Sequence, residues 1–162
     1  MSKFELVQMN IATMKHPLDS PAMAEFVASL DPINALAECS PGFVWRLKDD
    51  DGNATAYRPL GDNILFNMSV WRDIESLRDY AFKSAHVDIM RRRREWFEPM
   101  SEANATLWWT ACGHRPTIAE AIARLEHLRT RGASPHAFTF KQAYPAPEEG
   151  QTIVFDDACP AV

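Results

Sequence analysis

Side chains that could do chemistry share one side of the segment ILFNMSVW, residues 64–71. If this segment is a β-strand, Asn67, Ser69 and Trp71 point to one face, because strand side chains alternate between faces. Asn67 and Trp71 would lie about 13 Å apart along the backbone, enough to span two or three aromatic rings. The amide can donate a hydrogen bond to an oxygen that gains negative charge, and the indole can stack on the rings. In the alternative interpretation, Trp71 packs between helix and sheet, and Asn67 bonds to the backbone.

His86 is the second candidate for chemistry, in the row Phe82, His86 and Met90 of a predicted helix. An imidazole titrates near neutral pH, so His86 is a candidate general base for a phenol or an activated C–H group. It is also a candidate axial ligand of a haem, or a structural histidine at the edge of solvent. The remaining histidines show no metal-ligand spacing, so no metal site is predicted; they are His16, His114, His127 and His136.

Four consecutive arginines, Arg91 to Arg94, form the one basic run of the chain. On a helix, four successive residues cover all sides, so no single face collects their charge. A solvated face or a dimer edge is the plainer interpretation. Arg93 has the best angle to turn inward and hold a carboxylate or carbonyl group.

The length, composition and net charge of the chain limit the classes of protein to which it can belong. The 162 residues, 46% hydrophobic and 24% charged, suit one compact domain. No apolar run approaches the roughly 20 residues that cross a bilayer, and the segment MSKFELVQMN does not resemble a secretory signal. The three cysteines are widely spaced and predict neither a disulfide framework nor a zinc site. We expect a cytoplasmic protein with no membrane partner and, at a formal net charge of -5, no nucleic-acid partner.

The elements that must position these residues follow from periodicity and capping signals. Strands are predicted at residues 4–15, 43–48, 54–60, 64–71, 105–113 and 137–144, and helices at 21–40, 72–97 and 117–131. Without the additions this order is β-α-β-β-α-β, which predicts an α+β, ferredoxin-like fold with an extra C-terminal helix and strand. We expect one domain over residues 1–144, followed by an acidic, Pro-containing tail over residues 145–162.

Both faces of the predicted sheet are apolar. The adjacent Trp108 and Trp109, for example, must point in opposite directions. The predicted helices of a ferredoxin-like unit cover one face only. We therefore expect a second copy of the chain to cover the other face, forming a homodimer.

The segment NMSVWRDIESLRDYAFKSAHVDIMRRRREWF, together with the block DPINALAECSPGFVWRL, resembles the dimeric α/β-barrel superfamily. Within it, the chain is similar to the antibiotic-biosynthesis monooxygenase group, and most similar to an uncharacterised bacterial branch known as a domain of unknown function. The resemblance covers roughly residues 4–142. The superfamily also holds isomerases, decarboxylating enzymes, haem enzymes and plain ligand binders.

The resemblance implies a set of site residues. In the cofactor-free monooxygenases of the superfamily, an Asn and a Trp four positions apart line the pocket, which Asn67 and Trp71 match, and a further Asn of the first strand is matched by Asn10. A Tyr and an Arg complete the family's set, and Tyr80 and Arg46 match them by residue type alone. The residues expected to contact substrate are Asn10, Arg46, Tyr80, Phe82, Met90, Arg93 and Trp108.

The function predicted from these observations is a small-molecule enzyme that oxygenates or isomerises a flat apolar or aromatic substrate without a cofactor. In this hypothesis Trp71 orients the substrate, Asn67 and Asn10 hold its oxygen, and His86 moves the proton. Two alternatives remain open: a haem-binding protein with His86 as the axial ligand, and a non-catalytic module that binds a small molecule.

Overall fold

The computed structural model describes residues 2–148 and 150–151, and it contains a four-stranded antiparallel sheet in the order β2-β3-β1-β4. Its elements are β1 (Phe4–Thr13), α1 (Ala24–Cys39), β2 (Phe43–Arg46), β3 (Ile64–Trp71), α2 (Ile74–Lys83), α3 (His86–Trp96), β4 (Ala105–Ala111) and α4 (Ile118–Arg131). This order and this strand arrangement confirm the predicted α+β, ferredoxin-like fold with an added C-terminal helix. No helix within the described ranges is both long and apolar enough to cross a membrane.

The helix predicted over residues 72–97 is divided in the structure. It breaks between α2 and α3 at Ser84, whose backbone is extended (φ −101°, ψ 178°). The Ser84 hydroxyl donates to the Tyr80 carbonyl, and it also accepts a hydrogen bond from the backbone N–H of His86 at 3.2 Å. Serine competes with helical backbone bonding in this way, and His86 consequently becomes the first residue of α3.

Two predicted strands are absent from the described part of the chain. Residues 54–60 form turns between β2 and β3. Residues 137–144 contribute one isolated bridge to the sheet, in which Phe138 and Leu107 exchange backbone hydrogen bonds of 2.8 and 2.9 Å. Short turns closed by Ser134–Ala137 and Thr139–Gln142 flank this bridge, so the segment bends away before a ladder can extend.

The sheet face expected to need a second copy is covered by α4 of the same chain. Ala121 and Leu125 of α4 pack against the apolar side of the strands. The resulting cluster of buried residues comprises Val7, Met9, Ile11, Phe66, Met68, Val70, Trp108, Ala121 and Leu125. The premise that this face lies bare was therefore wrong, because the added helix supplies the cover. Dimerisation itself stays a prediction.

Of the tail predicted over residues 145–162, the structure describes only the beginning. Ala146 packs at the edge of a second buried cluster that includes Trp109 and Phe138, and the Trp109 indole donates a 2.9 Å hydrogen bond to the Tyr144 carbonyl. The remainder, residue 149 and residues 152–162, lies outside the described residues. The boundary between domain and tail stays a prediction.

Candidate functional site

The side of the sheet that packs against α1 and α2, which we call the helix-facing side, carries three rows of side chains. Residues paired across antiparallel strands point to the same face, so each row follows from the strand register. The first row is mainly apolar and contains Phe43, Trp71, Leu6 and Trp109. The second contains Arg46, Ser69, Gln8 and Leu107, and the third contains Asn67, Asn10 and Ala105. Polar residues are therefore concentrated in the middle of the sheet.

A bulge in β2 brings Arg46 to this face. Phe43 pairs with Trp71, but the register shifts before Trp45, which pairs with Val70 on the face under α4. Arg46 then pairs with Ser69 on the helix-facing side. A bulge inserts one extra residue and redirects the side chains that follow it. The guanidinium is thereby held at the sheet with its side chain only 11% exposed, 2.9 Å from Glu38 of α1.

Five side chains of these rows form a continuous chain of hydrogen bonds, which we call the polar network: Trp71, Ser69, Gln8, Asn10 and Asn67. The Trp71 indole donates to Ser69 Oγ at 2.9 Å, and Ser69 donates to Gln8 Oε1 at 3.1 Å. Gln8 Nε2 donates to Asn10 Oδ1 at 2.9 Å, and Asn67 Nδ2 donates to the same oxygen at 3.2 Å. The network joins the two predicted asparagines to the predicted tryptophan.

Solvent reaches one end of the polar network. Asn67 is exposed, and Asn10 and Gln8 are half-buried. Trp71, at the other end, is fully buried. The network thus runs from an accessible amide to a tryptophan in the interior.

An aromatic stack continues from the buried end. The rings of Trp71 and Phe43 form a T-shaped contact with 5.5 Å between centroids, and the Trp71 ring is stacked on Tyr80 of α2 at 5.0 Å. The His86 ring also contacts Tyr80, with 5.0 Å between ring centroids. Burial raises the pKa of Tyr80 to about 12, with the Arg46 charge acting in the opposite direction. The Tyr80 hydroxyl is therefore protonated at neutral pH.

His86 is held as a neutral base. Burial lowers the pKa of its imidazole below the ordinary 6.5, although a hydrogen bond to the Ala81 carbonyl acts in the opposite direction. Nδ1 lies 3.3 Å from that carbonyl oxygen. A carbonyl can only accept, so Nδ1 carries the proton there and the lone pair resides on Nε2. Nε2 is then the atom available to take up a proton.

A family comparison identifies the chain. The model of the family described as "Domain of unknown function (DUF3291)" matches residues 5–153. The chain belongs to that family. This agrees with the branch indicated by the sequence resemblance, and no curated protein matches the chain.

Several solved structures share similarity with this DUF3291 chain. SnoaB, a cofactor-independent oxygenase from Streptomyces nogalater, is 21% identical, with 70% of this chain and 96% of that chain covered at a TM-score of 0.40. A protein of unknown function from Nitrosomonas europaea is 14% identical, with 71% and 95% covered at a TM-score of 0.43. A Chloroflexus aurantiacus protein provisionally assigned as an antibiotic biosynthesis monooxygenase is 14% identical, with 70% and 98% covered at 0.39.

Six of the predicted site residues are brought together in this DUF3291 chain. Asn67, Asn10 and Trp71 belong to the polar network, Tyr80 and His86 continue it, and Arg46 lies beside Ser69. Trp71 has no exposed surface in this conformation, so its ring contacts Tyr80 rather than open space.

The other four predicted contact residues lie elsewhere, and their inclusion in one site needs correction. Phe82 and Met90 are 58% and 42% exposed. The break at Ser84 separates Phe82 from His86, whereas Met90 remains in α3 with His86 but faces solvent. Arg93 is exposed on α3. Trp108 lies on the opposite face of the sheet, where its indole donates to Glu120 at 3.2 Å.

The arginine of the basic run that contacts the body of the protein is Arg92. Its guanidinium lies 4.8 Å from the centroid of the Trp96 ring and pairs with Glu25 and Glu95. It is therefore engaged in packing and ion pairs rather than turned toward the polar network.

Sequence reasoning missed Gln8 and Glu38, and it gave Ser69 no role. A signal existed for Gln8, because it precedes Asn10 by two residues on a strand and must share its face. Glu38 gave no such signal, because its contact with Arg46 joins α1 to β2 after both elements have packed.

Proposed function

We propose that this protein is a small-molecule enzyme that acts on a flat, apolar or aromatic substrate without a cofactor, by oxygenation or isomerisation. The observation that carries the proposal is the unbroken series of contacts from the exposed amide of Asn67 to the neutral imidazole of His86. It connects groups that can bind an oxygen atom to a group that can accept a proton.

Apolar side chains beyond both ends of the polar rows fit a flat substrate with a polar atom near its middle. Along β3, Asn67 lies between Trp71 on one side and Leu65 on the other, all on the same face. Leu65 packs with a third cluster around Trp96 of α3. In the proposed complex, the substrate oxygen bonds to Asn67 and Asn10, and its rings extend over these apolar ends.

Tyr80 modifies the role expected of Trp71. Because Tyr80 covers the indole, Tyr80 is the aromatic surface nearer to a bound substrate, and Trp71 supports it from behind. Direct stacking of substrate on Trp71 requires Tyr80 to move aside. In either geometry, Trp71 anchors the polar network through its N–H group.

The chemistry begins with His86. Its Nε2 takes a proton from a phenol or an activated C–H group, and the amide N–H groups of Asn10 and Asn67 stabilise the resulting oxyanion, an effect worth about 3 kcal/mol for one well-placed donor. Reprotonation at another carbon gives isomerisation. Alternatively, the anion transfers an electron to dioxygen, the two radicals combine, and loss of water from the resulting peroxide turns a CH₂ group into a carbonyl group. Dioxygen is then the only co-substrate.

Oxygen uptake with anthrone, a three-ring ketone with an acidic CH₂ group, tests the proposal. We expect uptake by the wild type, a loss of at least about tenfold in His86→Ala, and unchanged uptake in the matched control His127→Ala on α4. Unchanged uptake in His86→Ala contradicts the proposed role of His86. Binding of anthrone without uptake or isomerisation favours the non-catalytic module instead.

The haem alternative makes a different prediction for the same preparation. An imidazole Nε2 with a lone pair also suits a haem iron, particularly when Nδ1 donates to a carbonyl group. Haem bound to His86 would give the purified protein a strong absorbance band at about 400 nm, and that band would be lost in His86→Ala. A colourless preparation that consumes oxygen supports the cofactor-free mechanism.

A further inference from the structure

We infer that Gln8 is a positioning residue, which orients the amide of Asn10 so that the ligand-facing side of the polar network presents hydrogen-bond donors. The ligand must then offer an acceptor oxygen: a carbonyl, an enolate or a phenolate. This inference rests on the proposed function, since it specifies what the same site recognises. It is carried by the direction of the hydrogen bonds.

The hydrogen bonds run outward in one direction from the buried end. An indole N–H can donate but cannot accept, so Ser69 Oγ accepts from Trp71. Ser69 has one proton of its own, which it donates to Gln8 Oε1. With its oxygen turned to Ser69, Gln8 directs its nitrogen at Asn10 and donates to Oδ1.

The same direction of hydrogen bonding orients the side-chain amide of Asn10. Its Oδ1 accepts from Gln8 Nε2 at 2.9 Å and from Asn67 Nδ2 at 3.2 Å. Two donors that converge on one oxygen hold the amide with Nδ2 turned away from both. Nδ2 of Asn10 donates no hydrogen bond to any of the residues that the structure describes, and Asn10 is only half-buried.

At the end of the polar network that solvent reaches, most of the hydrogen-bonding groups left for a ligand are therefore N–H donors. Each amide nitrogen carries two N–H groups, so Asn10 keeps both and Asn67 keeps one after the bonds described. A ligand N–H facing Asn10 Nδ2 would leave two donors opposed without an acceptor, which costs more than the absence of a favourable bond. The network thus selects ligands by the type of polar atom as well as by shape.

Arg46 strengthens this preference. It stands next to Ser69 in the second row, with most of its side chain buried. Its partner Glu38 is more exposed, with 42% of its side chain accessible, so solvent screens the carboxylate more than the guanidinium. The positive charge favours an acceptor oxygen that is anionic or becomes so during reaction.

A matched pair of neutral three-ring molecules tests the inference. Fluorenone has a carbonyl group where carbazole has an N–H group, and the two molecules have nearly the same size and shape. We expect wild-type protein to bind fluorenone about tenfold more tightly than carbazole, the discrimination that one satisfied hydrogen bond provides. Binding is measured by calorimetry or by quenching of tryptophan fluorescence.

Gln8→Glu is the decisive variant, because its carboxylate can accept from Ser69 but cannot donate to Asn10. Asn10 must then rotate to donate Nδ2 to the carboxylate, and the exposed Asn67 rotates with it to accept from Asn10. The rotation turns Oδ1 of Asn10 toward the ligand. We expect the ratio of the two dissociation constants to reverse in favour of carbazole. Both probes are neutral, so repulsion by the added charge does not discriminate between them. Gln8→Leu, without a charge, should reduce the ratio toward one without reversing it.

The outcomes separate this inference from the proposed function. If neither probe binds to the wild type, the ligand site itself is wrong. If both probes bind but their ratio is the same in wild type and Gln8→Glu, the site stands and the role of Gln8 is wrong. Should Gln8→Glu fail to fold, Asn10→Asp replaces it: the carboxylate still accepts from Gln8 and Asn67 but exposes an oxygen, so the preference for fluorenone should again be lost.

Discussion

The ring of Tyr80 lies on the indole of Trp71, with 5.0 Å between ring centroids and 27° between planes. The tyrosine comes from α2 and the tryptophan from the end of β3, so this contact fastens the helix to the sheet. It also closes the aromatic end of the polar network, because Trp71 is left with no exposed surface. Tyr80 is thus both a packing residue and the inner wall of the candidate site.

Truncation of Tyr80 should distinguish ring packing from hydroxyl bonding. Tyr80→Ala removes a stacked ring and should lower the free energy of unfolding by about 2–4 kcal/mol. Tyr80→Phe keeps the ring and removes only the long contact of the hydroxyl with the Ile33 carbonyl at 3.5 Å, so the change should stay within about 1 kcal/mol. Urea unfolding measures both values. Equal losses in the two variants would show that the hydroxyl, not the stack, dominates.

The depressed pKa of His86 predicts that the protein loses stability in mild acid. The unfolded chain binds the proton at pH values near 6.5, the ordinary pKa, whereas the folded chain binds it only at lower pH. Between these two pKa values the unfolded state holds more protons, so the contribution to stability is complete above pH 6.5 and decreases as the pH falls through the folded pKa. Unfolding measured from pH 7.5 downward should therefore show a weaker dependence on pH in His86→Asn. His16→Asn, at an exposed position, is the matched control and should follow the wild type.

The lowered pKa of His86 also determines the acid side of the pH–rate profile of any reaction in which His86 is the base. The pH profile of kcat/KM should rise through a pKa below 6.5, because this ratio reports the free enzyme and only the neutral imidazole accepts a proton. A profile with its acid limb unchanged in His86→Asn would assign the base to another residue.

Asn67 is expected to serve binding rather than folding. It is exposed, and the one hydrogen bond that its side chain makes among the described residues goes to Asn10. Asn67→Leu should change the free energy of unfolding by no more than about 1 kcal/mol while weakening the binding of fluorenone. Asn63→Leu, an exposed Asn just before β3, is the control for a new surface leucine. A collapse of the melting temperature in Asn67→Leu alone would mark Asn67 as structural.

Because α4 covers the apolar face of the sheet, its packing there should contribute substantially to the free energy of unfolding. Leu125 is 1% exposed and packs against the strands, so Leu125→Ala should cost about 2–4 kcal/mol of unfolding free energy. The oligomeric state should not change, since the helix and not a second copy fills this face. Sedimentation of the wild type and the variant checks this. A switch from dimer to monomer in Leu125→Ala would show that α4 also supports a dimer interface.

Periodicity and capping in the sequence were sufficient for much of the fold. Alternation along residues 64–71 correctly placed Asn67, Ser69 and Trp71 on one face of β3. Thr117 caps α4 by accepting from the backbone N–H of Glu120, and Gly132 ends the helix, as the local signals indicated. These features depend on residues a few positions apart, whose geometry the backbone itself imposes.

The site depended on contacts that no local pattern contains. Asn10 and Asn67 are separated by 57 positions, and their hydrogen bond exists because β1 and β3 pair in one register. The bulge that turns Arg46 toward the helices and the break at Ser84 that separates Phe82 from His86 are likewise irregularities that periodicity does not predict. The sequence by itself determined which side chains share a strand face. Only the tertiary structure decided which strands meet, which helix covers each face and which way each amide points, because those choices depend on packing between segments distant in the chain.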